Sequence, residues 1–340
     1  MKPVELLFLS FSDVEALGLP VPVVVDAVEA ALREHAAGTV EMHPKIGVHP
    51  TGTHPANFIH AMPAYLKQMG ACGIKWVSGF AKNFERGLPN VMGLQVLNDP
   101  DTGAPLAIMD AGYLTGLRTA AVSAIAARAC AREGAAVLGV AGTGFQGRMH
   151  LRFLTALLPQ LEEVRLFDVR KSAAEAVAAD AAAFFQGRVT VCESPRDCVD
   201  GADVICTCTN GDSRIIADKT WFKPGAFGVG IEGGCAYSAE ALHQADKFLV
   251  DDVALARYFD ELGRTRVGAD GAPDPEFPGG MPAIHATIGQ VLTGERPGRE
   301  RDDERIIAVP IGMAVCDVAL ASVIHAEAAA AGRGQQLRLM

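Results

Sequence analysis

The chain has 340 residues, enough for two closely connected domains and too few for three. It is 49% hydrophobic and 21% charged, and 30 Lys+Arg against 40 Asp+Glu give a formal net charge of -10, the composition of a folded, acidic, soluble protein. The acidic balance leaves no basic surface for releasing phosphate counterions, which argues against nucleic acid as a partner, and no apolar run reaches the roughly 18 to 20 residues of a membrane helix.

The N-terminus, MKPVELLFLSFSDVE, carries a short apolar patch broken by Glu5 and followed by no small-residue cleavage site, so a cytoplasmic location is expected. Eight scattered cysteines without a CxxC pair are expected to be reduced thiols. A Pro-rich turn precedes apolar positions at helical spacing, predicting a helix at about 21–37. Segments 44–49, 56–63, 71–80, 92–98 and 104–110 are short, apolar-rich and divided by Gly, Pro and Asn-Asp punctuation. They read as an antiparallel sheet with its clearest turn at NDPDTG, 98–103.

From Leu114 an Ala-rich helix is predicted, capped by Thr115 and ending at Glu133-Gly134. Strand-like segments follow at 136–141, 164–168, 189–192, 203–209, 226–231 and 247–252, alternating with helical ones such as 172–186. This alternation predicts a parallel sheet covered on both faces. Residues 264–282 read as a surface excursion and RDDER at 301–305 as a solvated charge run. The tail from Val309 reads as a long helix without an evident neighbour.

Gly142-Thr143-Gly144-Phe145-Gln146-Gly147 is a GxGxxG set placed directly after an apolar strand and at the start of a helix. In that setting Gly142 permits the tight turn, Gly144 lets backbone amides reach a pyrophosphate, and Gly147 lets the helix pack closely on the strand. The helix N-terminus adds about half a positive charge for the diphosphate. The second strand ends in Asp168, 21 residues after Gly147, where a carboxylate can accept both ribose hydroxyls of NAD. Its charge would repel a 2'-phosphate, so NAD is expected, with NADP left open by the adjoining Arg170 and Lys171.

His43, His49, His54 and His60 fit no compact ligand spacing, so no metal is expected. Cys206 and Cys208 fall on one face of a buried strand and read as core.

With GIKWVSGF, NFERGLPNVMG, LTGLRTAAVSA, AGTGFQG, VGIEGG and IGMAVCD in this order, the chain resembles the ornithine cyclodeaminase/mu-crystallin family over most of its length. The resemblance implies a homodimer and an α/β fold made of a Rossmann dinucleotide-binding domain, 116–307, and an α+β substrate-binding and dimerisation domain, 1–115 with 308–340. It implies that Arg118 offers a bidentate fork to a substrate carboxylate, with Lys75 binding it or assisting proton transfer and Lys45 adding a point charge. On the cofactor side it implies Asn90, Thr119, Phe145, Gln146, Thr209, Asn210, Gly233 and Gly234. Cys235 stands where cyclodeaminases proper carry a catalytic aspartate, and Glu232 is a candidate replacement.

The expected function is an NAD(P)-dependent oxidoreductase acting on the C–N bond of a small α-imino or α-amino acid. The alternatives are a redox-neutral cyclodeaminase of ornithine or lysine type, a dehydratase-like use of the scaffold, and a non-catalytic, crystallin-like binding protein. Met62, Trp76, Phe80 and Tyr237 are candidates to line the pocket.

Overall fold

The computed structural model describes residues 3–50, 52–54, 56–209, 216–266, 272–273 and 276–340. The chain divides into two compact units, residues 1–118 with 312–340, and residues 119–311. The expected boundaries, 115/116 and 307/308, are displaced, so that Arg118 belongs to the first unit.

The first unit opens with β1 (Glu5–Leu9), α1 (Phe11–Glu15) and α2 (Val21–Ala36). Then come β2 (Val40–Met42), β3 (Ile46–Val48), β4 (Phe58–Leu66), β5 (Ala71–Gly79), β6 (Val91–Asn98) and β7 (Pro105–Asp110). Helix α3 (Ala111–Cys130) follows, and the chain leaves the unit within it. It begins one turn earlier than predicted because Asp110, not Thr115, caps it, its Oδ1 accepting from the Tyr113 N–H at 2.8 Å.

The second unit contains β8 (Val137–Ala141), α4 (Phe145–Leu157), β9 (Glu163–Phe167), α5 (Lys171–Ala181), β10 (Arg188–Val191), α6 (Pro195–Val199), β11 (Val204–Thr207) and β12 (Phe227–Gly230). It continues through α7 (Ala239–His243), β13 (Lys247–Val250), α8 (Val253–Thr265), β14 (Ala286–Thr287), α9 (Ile288–Thr293) and β15 (Ile306–Val309). The chain then returns to the first unit as α10 (Ala314–Ala330) and β16 (Gln335–Arg338).

In the first unit the strands run β16-β1-β7-β6-β5-β4-β2, with β3 also paired to β4. The pairs among β4, β5, β6 and β7 are antiparallel, as predicted, while β1 joins β7 in parallel. Period-two alternation gives the sheet a buried face, with His60, Met62, Lys75, Val77 and Gln95 on it. Helix α10 packs on β4, β5 and β6 and is in turn covered by α2. A helix enclosed in this way is apolar almost all round, which is why its sequence shows no clear solvent stripe.

The second unit is a parallel sheet in the order β10-β9-β8-β11-β12-β15-β13-β14. Strands β11, β12, β13 and β15 are buried throughout, as a sheet covered on both faces requires. The order reverses between β8 and β11, the topological switch point at which such folds hold ligands.

Two expectations hold only in part. In RDDER, Arg301, Asp302 and Asp303 are exposed, but Glu304 is buried and ion-paired to Lys247 at 3.3 Å, which anchors the run. Segment 264–282 is in part outside the described residues, but its Phe277 is fully buried against Phe248, ring to ring at 6.0 Å, and is therefore core.

Candidate active site

In the first unit, three charged side chains meet in the interior. Lys75 projects from β5, Arg118 from α3 and Asp317 from the first turn of α10. Lys75 Nζ lies 2.7 Å from Asp317 Oδ2, and Arg118 Nε donates to Asp317 Oδ1 at 2.9 Å. The helix N-terminus favours the Asp317 carboxylate. Gly312 stands at φ +93°, where a Cβ would come within 2.6 Å of Arg118 Nη1, so the glycine makes room for the guanidinium. Burial pulls the Lys75 pKa down to about 8 against the pull of Asp317, with Arg118 adding repulsion. One buried anion thus faces two buried cations, an arrangement that favours a second anion.

Sequence reasoning singled out Lys75 and Arg118 and missed Asp317 and Gly312. Both lie within IGMAVCD, and the signal was a lone acid in the otherwise apolar run MAVCDVALASVI. Lys45, half-buried, precedes β3, and extending the β3–β4 register by one residue brings it level with Met62 and Lys75 on the same face. Met62 is buried beside Lys75, whereas Trp76 points to the opposite face and is 51% exposed. Tyr237 is buried in the core of the second unit, edge-on to Phe222 at 6.5 Å. Asn90 closes the 80–90 loop, its carbonyl accepting from the Phe80 N–H at 2.7 Å and its Oδ1 from the Phe84 N–H at 3.1 Å. Phe80 borders that loop.

In the second unit the glycine motif has the geometry a diphosphate needs. Gly142 stands at φ +92°, and a Cβ there would lie 2.3 Å from the Cys208 carbonyl. At Gly147 a Cβ would lie 1.9 Å from the Gly142 carbonyl, so the helix can pack here only without a side chain. Around Gly144 a Cβ would meet nothing within 4 Å, leaving open space at the N-terminus of α4, which no side chain caps. There Gln146 Oε1 is buried without a hydrogen-bond partner among the described residues. His150 braces the loop: its Nδ1 donates to the Gln146 carbonyl at 2.8 Å, which leaves Nε2 to accept from Ser123 Oγ at 2.9 Å. Asp168 Oδ2 accepts from the Thr143 N–H at 2.8 Å and its hydroxyl at 3.0 Å, and Oδ1 from the Arg170 N–H at 2.9 Å. The carboxylate is therefore aimed before any ribose arrives, and the residues present fit a dinucleotide.

Beyond the ends of β11 and β12, Thr209 Oγ1 donates to Glu232 Oε1 at 3.1 Å, and the Cys235 thiol donates to the Glu232 carbonyl at 3.0 Å. Gly233, at φ +74°, lets Glu276 approach, since a Cβ would lie 2.7 Å from its Oε2. Gly234 packs against Leu242, Phe277 and the Glu276 carbonyl. Thr119 is buried on α3 and Phe145 is exposed at the start of α4. Asn210 lies outside the described residues.

Two units of this architecture, one with a buried cationic well and one with a dinucleotide loop, define a class of nucleotide-dependent enzymes for small carboxylates. Over residues 4–332 the chain matches the ornithine cyclodeaminase/mu-crystallin family, and it belongs to that family. It is 34% identical over 340 residues to alanine dehydrogenase of Archaeoglobus fulgidus, covering 98% of each chain. A solved archaeal alanine dehydrogenase dimer with bound NAD superposes with a TM-score of 0.84 at 33% identity, covering 99% of this chain and 100% of the other. Thermococcus litoralis Δ1-pyrroline-2-carboxylate reductase, solved with NADH and L-proline, gives a TM-score of 0.82 at 25% identity, covering 97% and 99%.

Proposed function

We propose that this protein is an NAD-dependent oxidoreductase acting on the carbon–nitrogen bond of a small α-imino or α-amino acid. The observation that carries the reading is the buried Lys75–Asp317–Arg118 group, whose unmatched positive charge suits one substrate carboxylate. Arg118 supplies a planar fork for the carboxylate, and Asp317 holds that fork and the Lys75 ammonium in place. Lys75, with its pKa near 8, is predominantly protonated at neutrality yet releases its proton readily, as an acid that keeps an imine nitrogen protonated must. Lys45 adds positive charge on the same sheet face.

The Gly142–Gly147 loop and Asp168 would hold NAD, with Phe145, Gln146, Thr119, Thr209, Gly233, Gly234 and Cys235 as its further neighbours. When bound, the nicotinamide supplies the hydride donor or acceptor. NAD is favoured over NADP because Lys171 is engaged by Glu193 and the Asp168 carboxylate occupies the end of β9. The archaeal relative of known structure is a dimer. Here the outer sheet face carries Ile46, Val48, Trp76 and Leu94, 64%, 60%, 51% and 45% exposed, which suits burial against a second copy. All eight cysteines are thiols rather than disulfides, which suits the cytoplasm. No helix among the described residues is long and apolar enough to cross a membrane.

The test is NADH and NADPH consumption with cyclic ketimines and with α-keto acids plus ammonia or methylamine. Consumption requiring both partners, faster with NADH, is expected. Its absence throughout, together with ammonia release from ornithine or lysine under catalytic NAD, would replace this reading with cyclodeamination.

A further inference from the structure

Glu232 has a setting that the chemistry above does not use. It follows β12, and its carboxyl is held by neutral donors only, Thr209 Oγ1 to Oε1 and the Ile231 N–H to Oε2, each at 3.1 Å. Among the described residues no lysine, arginine or histidine pairs with it. Thr207, at the end of β11, and Cys208, just beyond it, lie close enough to interact with Glu232. From the segment after β12 come Cys235 and the buried Tyr237, and from residue 276 comes Glu276, whose charge is matched by Arg266. Burial holds Cys208 and Tyr237 well above their ordinary pKa values, so both stay neutral near pH 7.

The strand order fixes where this carboxyl stands relative to a dinucleotide. Asp168, at the end of β9, lies on one side of the switch point, while β11 and β12 lie on the other. A dinucleotide straddles such a point, with one ribose on the acid after the second strand and its other nucleoside over the strands beyond.

On the NAD-binding reading above, we infer that Glu232 senses the charge of the nicotinamide ring, standing anionic against the oxidised, cationic ring and neutral against the reduced, uncharged one. Binding of oxidised NAD then releases a proton from the carboxyl to solvent, and binding of NADH releases none. The physical cause is a nearby opposite charge in a site of low dielectric, which favours the ionised form. Burial raises the Glu232 pKa to about 7 against the opposing pull of the Thr209 hydroxyl and the Ile231 N–H, so a cation can tip it at neutrality. The consequence is a preference between the two cofactor states that changes with pH.

The experiment measures Kd for NAD and NADH from about pH 6 to about pH 8, with proton release on NAD binding from calorimetry in two buffers of different ionisation enthalpy. For the wild-type protein, Kd for NAD falls several-fold as pH rises, bounded by about tenfold per unit for one proton. Kd for NADH moves less than about twofold or in the opposite direction. Glu232→Gln flattens the ratio and abolishes proton release, and Glu232→Asp restores part of both. A wild-type ratio independent of pH, or a slope retained in Glu232→Gln, overturns the inference while leaving NAD binding intact. Failure of both nucleotides to bind would overturn the cofactor reading as well. Should Glu232→Gln not fold, wild-type proton release alone decides.

Discussion

Lys75 and Asp317, from opposite ends of the chain, meet at 2.7 Å in the interior of the first unit, and Arg118 shares the same carboxylate. Asp317→Asn would leave two buried cations facing each other without an anion. A loss of about 3–5 kcal/mol in stability is expected, the range for breaking a buried pair. Urea denaturation of the variant against wild type checks it, and a loss within about 0.5 kcal/mol would show the triad to be energetically idle.

The Lys75 pKa sets a pH dependence with a definite sign. The unfolded lysine titrates near its ordinary value of 10.5, whereas the folded one titrates near 8. Between the two the unfolded chain binds more protons, so this group makes stability rise with pH from about 8 to about 10.5. If Lys75 is the acid, kcat/KM for imine reduction falls as pH rises through about 8. Because Asp317 raises the Lys75 pKa, Asp317→Asn moves that fall to lower pH. A profile of kcat/KM against pH for both proteins tests the assignment.

Arg118→Lys keeps the charge and loses the fork. A loss of about 2–3 kcal/mol in transition-state binding, roughly 30- to 150-fold in kcat/KM, is expected from one charge-assisted bond. Arg118→Ala should lose more. Steady-state kinetics with the imine substrate decide, and wild-type kcat/KM in Arg118→Ala would remove this residue from the site.

The motif glycines separate into two kinds. Gly147→Ala drives a Cβ to 1.9 Å from the Gly142 carbonyl, so a destabilisation of about 1–3 kcal/mol is expected. Gly144→Ala meets no protein atom and should leave the melting temperature near wild type, while its methyl enters the space for the diphosphate and weakens NADH binding. Thermal melts and NADH fluorescence titrations distinguish the two.

Trp76 and Leu94 are directly paired across β5 and β6 on the outer sheet face. Trp76→Glu should yield a monomer by sedimentation if a second copy covers this face, and an unchanged wild-type dimer would move the interface elsewhere.

Much of this organisation was legible because it is local. Alternation in β4 to β7 and the glycine motif after β8 each complete a pattern within a dozen residues. What escaped depends on distant pairing. Strand β1 reads only as an apolar patch near the N-terminus, and its partners, β7 and β16, lie about one hundred residues away and at the far end of the chain. Strand β15 was hidden behind RDDER, whose Glu304 is buried by Lys247 rather than by anything nearby in sequence. Asp317 was obscured because α10 is enclosed on both sides, so a single acid breaks no amphipathic pattern. Lys75 and Arg118 were singled out by resemblance, and only the fold brings them to a common carboxylate.

The most direct measurement follows the label from NADH deuterated at the transferable position of the nicotinamide, with an imino acid as acceptor and the product analysed by mass spectrometry and proton NMR. One deuterium at the α-carbon of the amino acid, with stoichiometric loss of NADH, is predicted. Unlabelled product, or ammonia formed from a diamino acid with no net loss of NADH, would contradict reduction at the carbon–nitrogen bond.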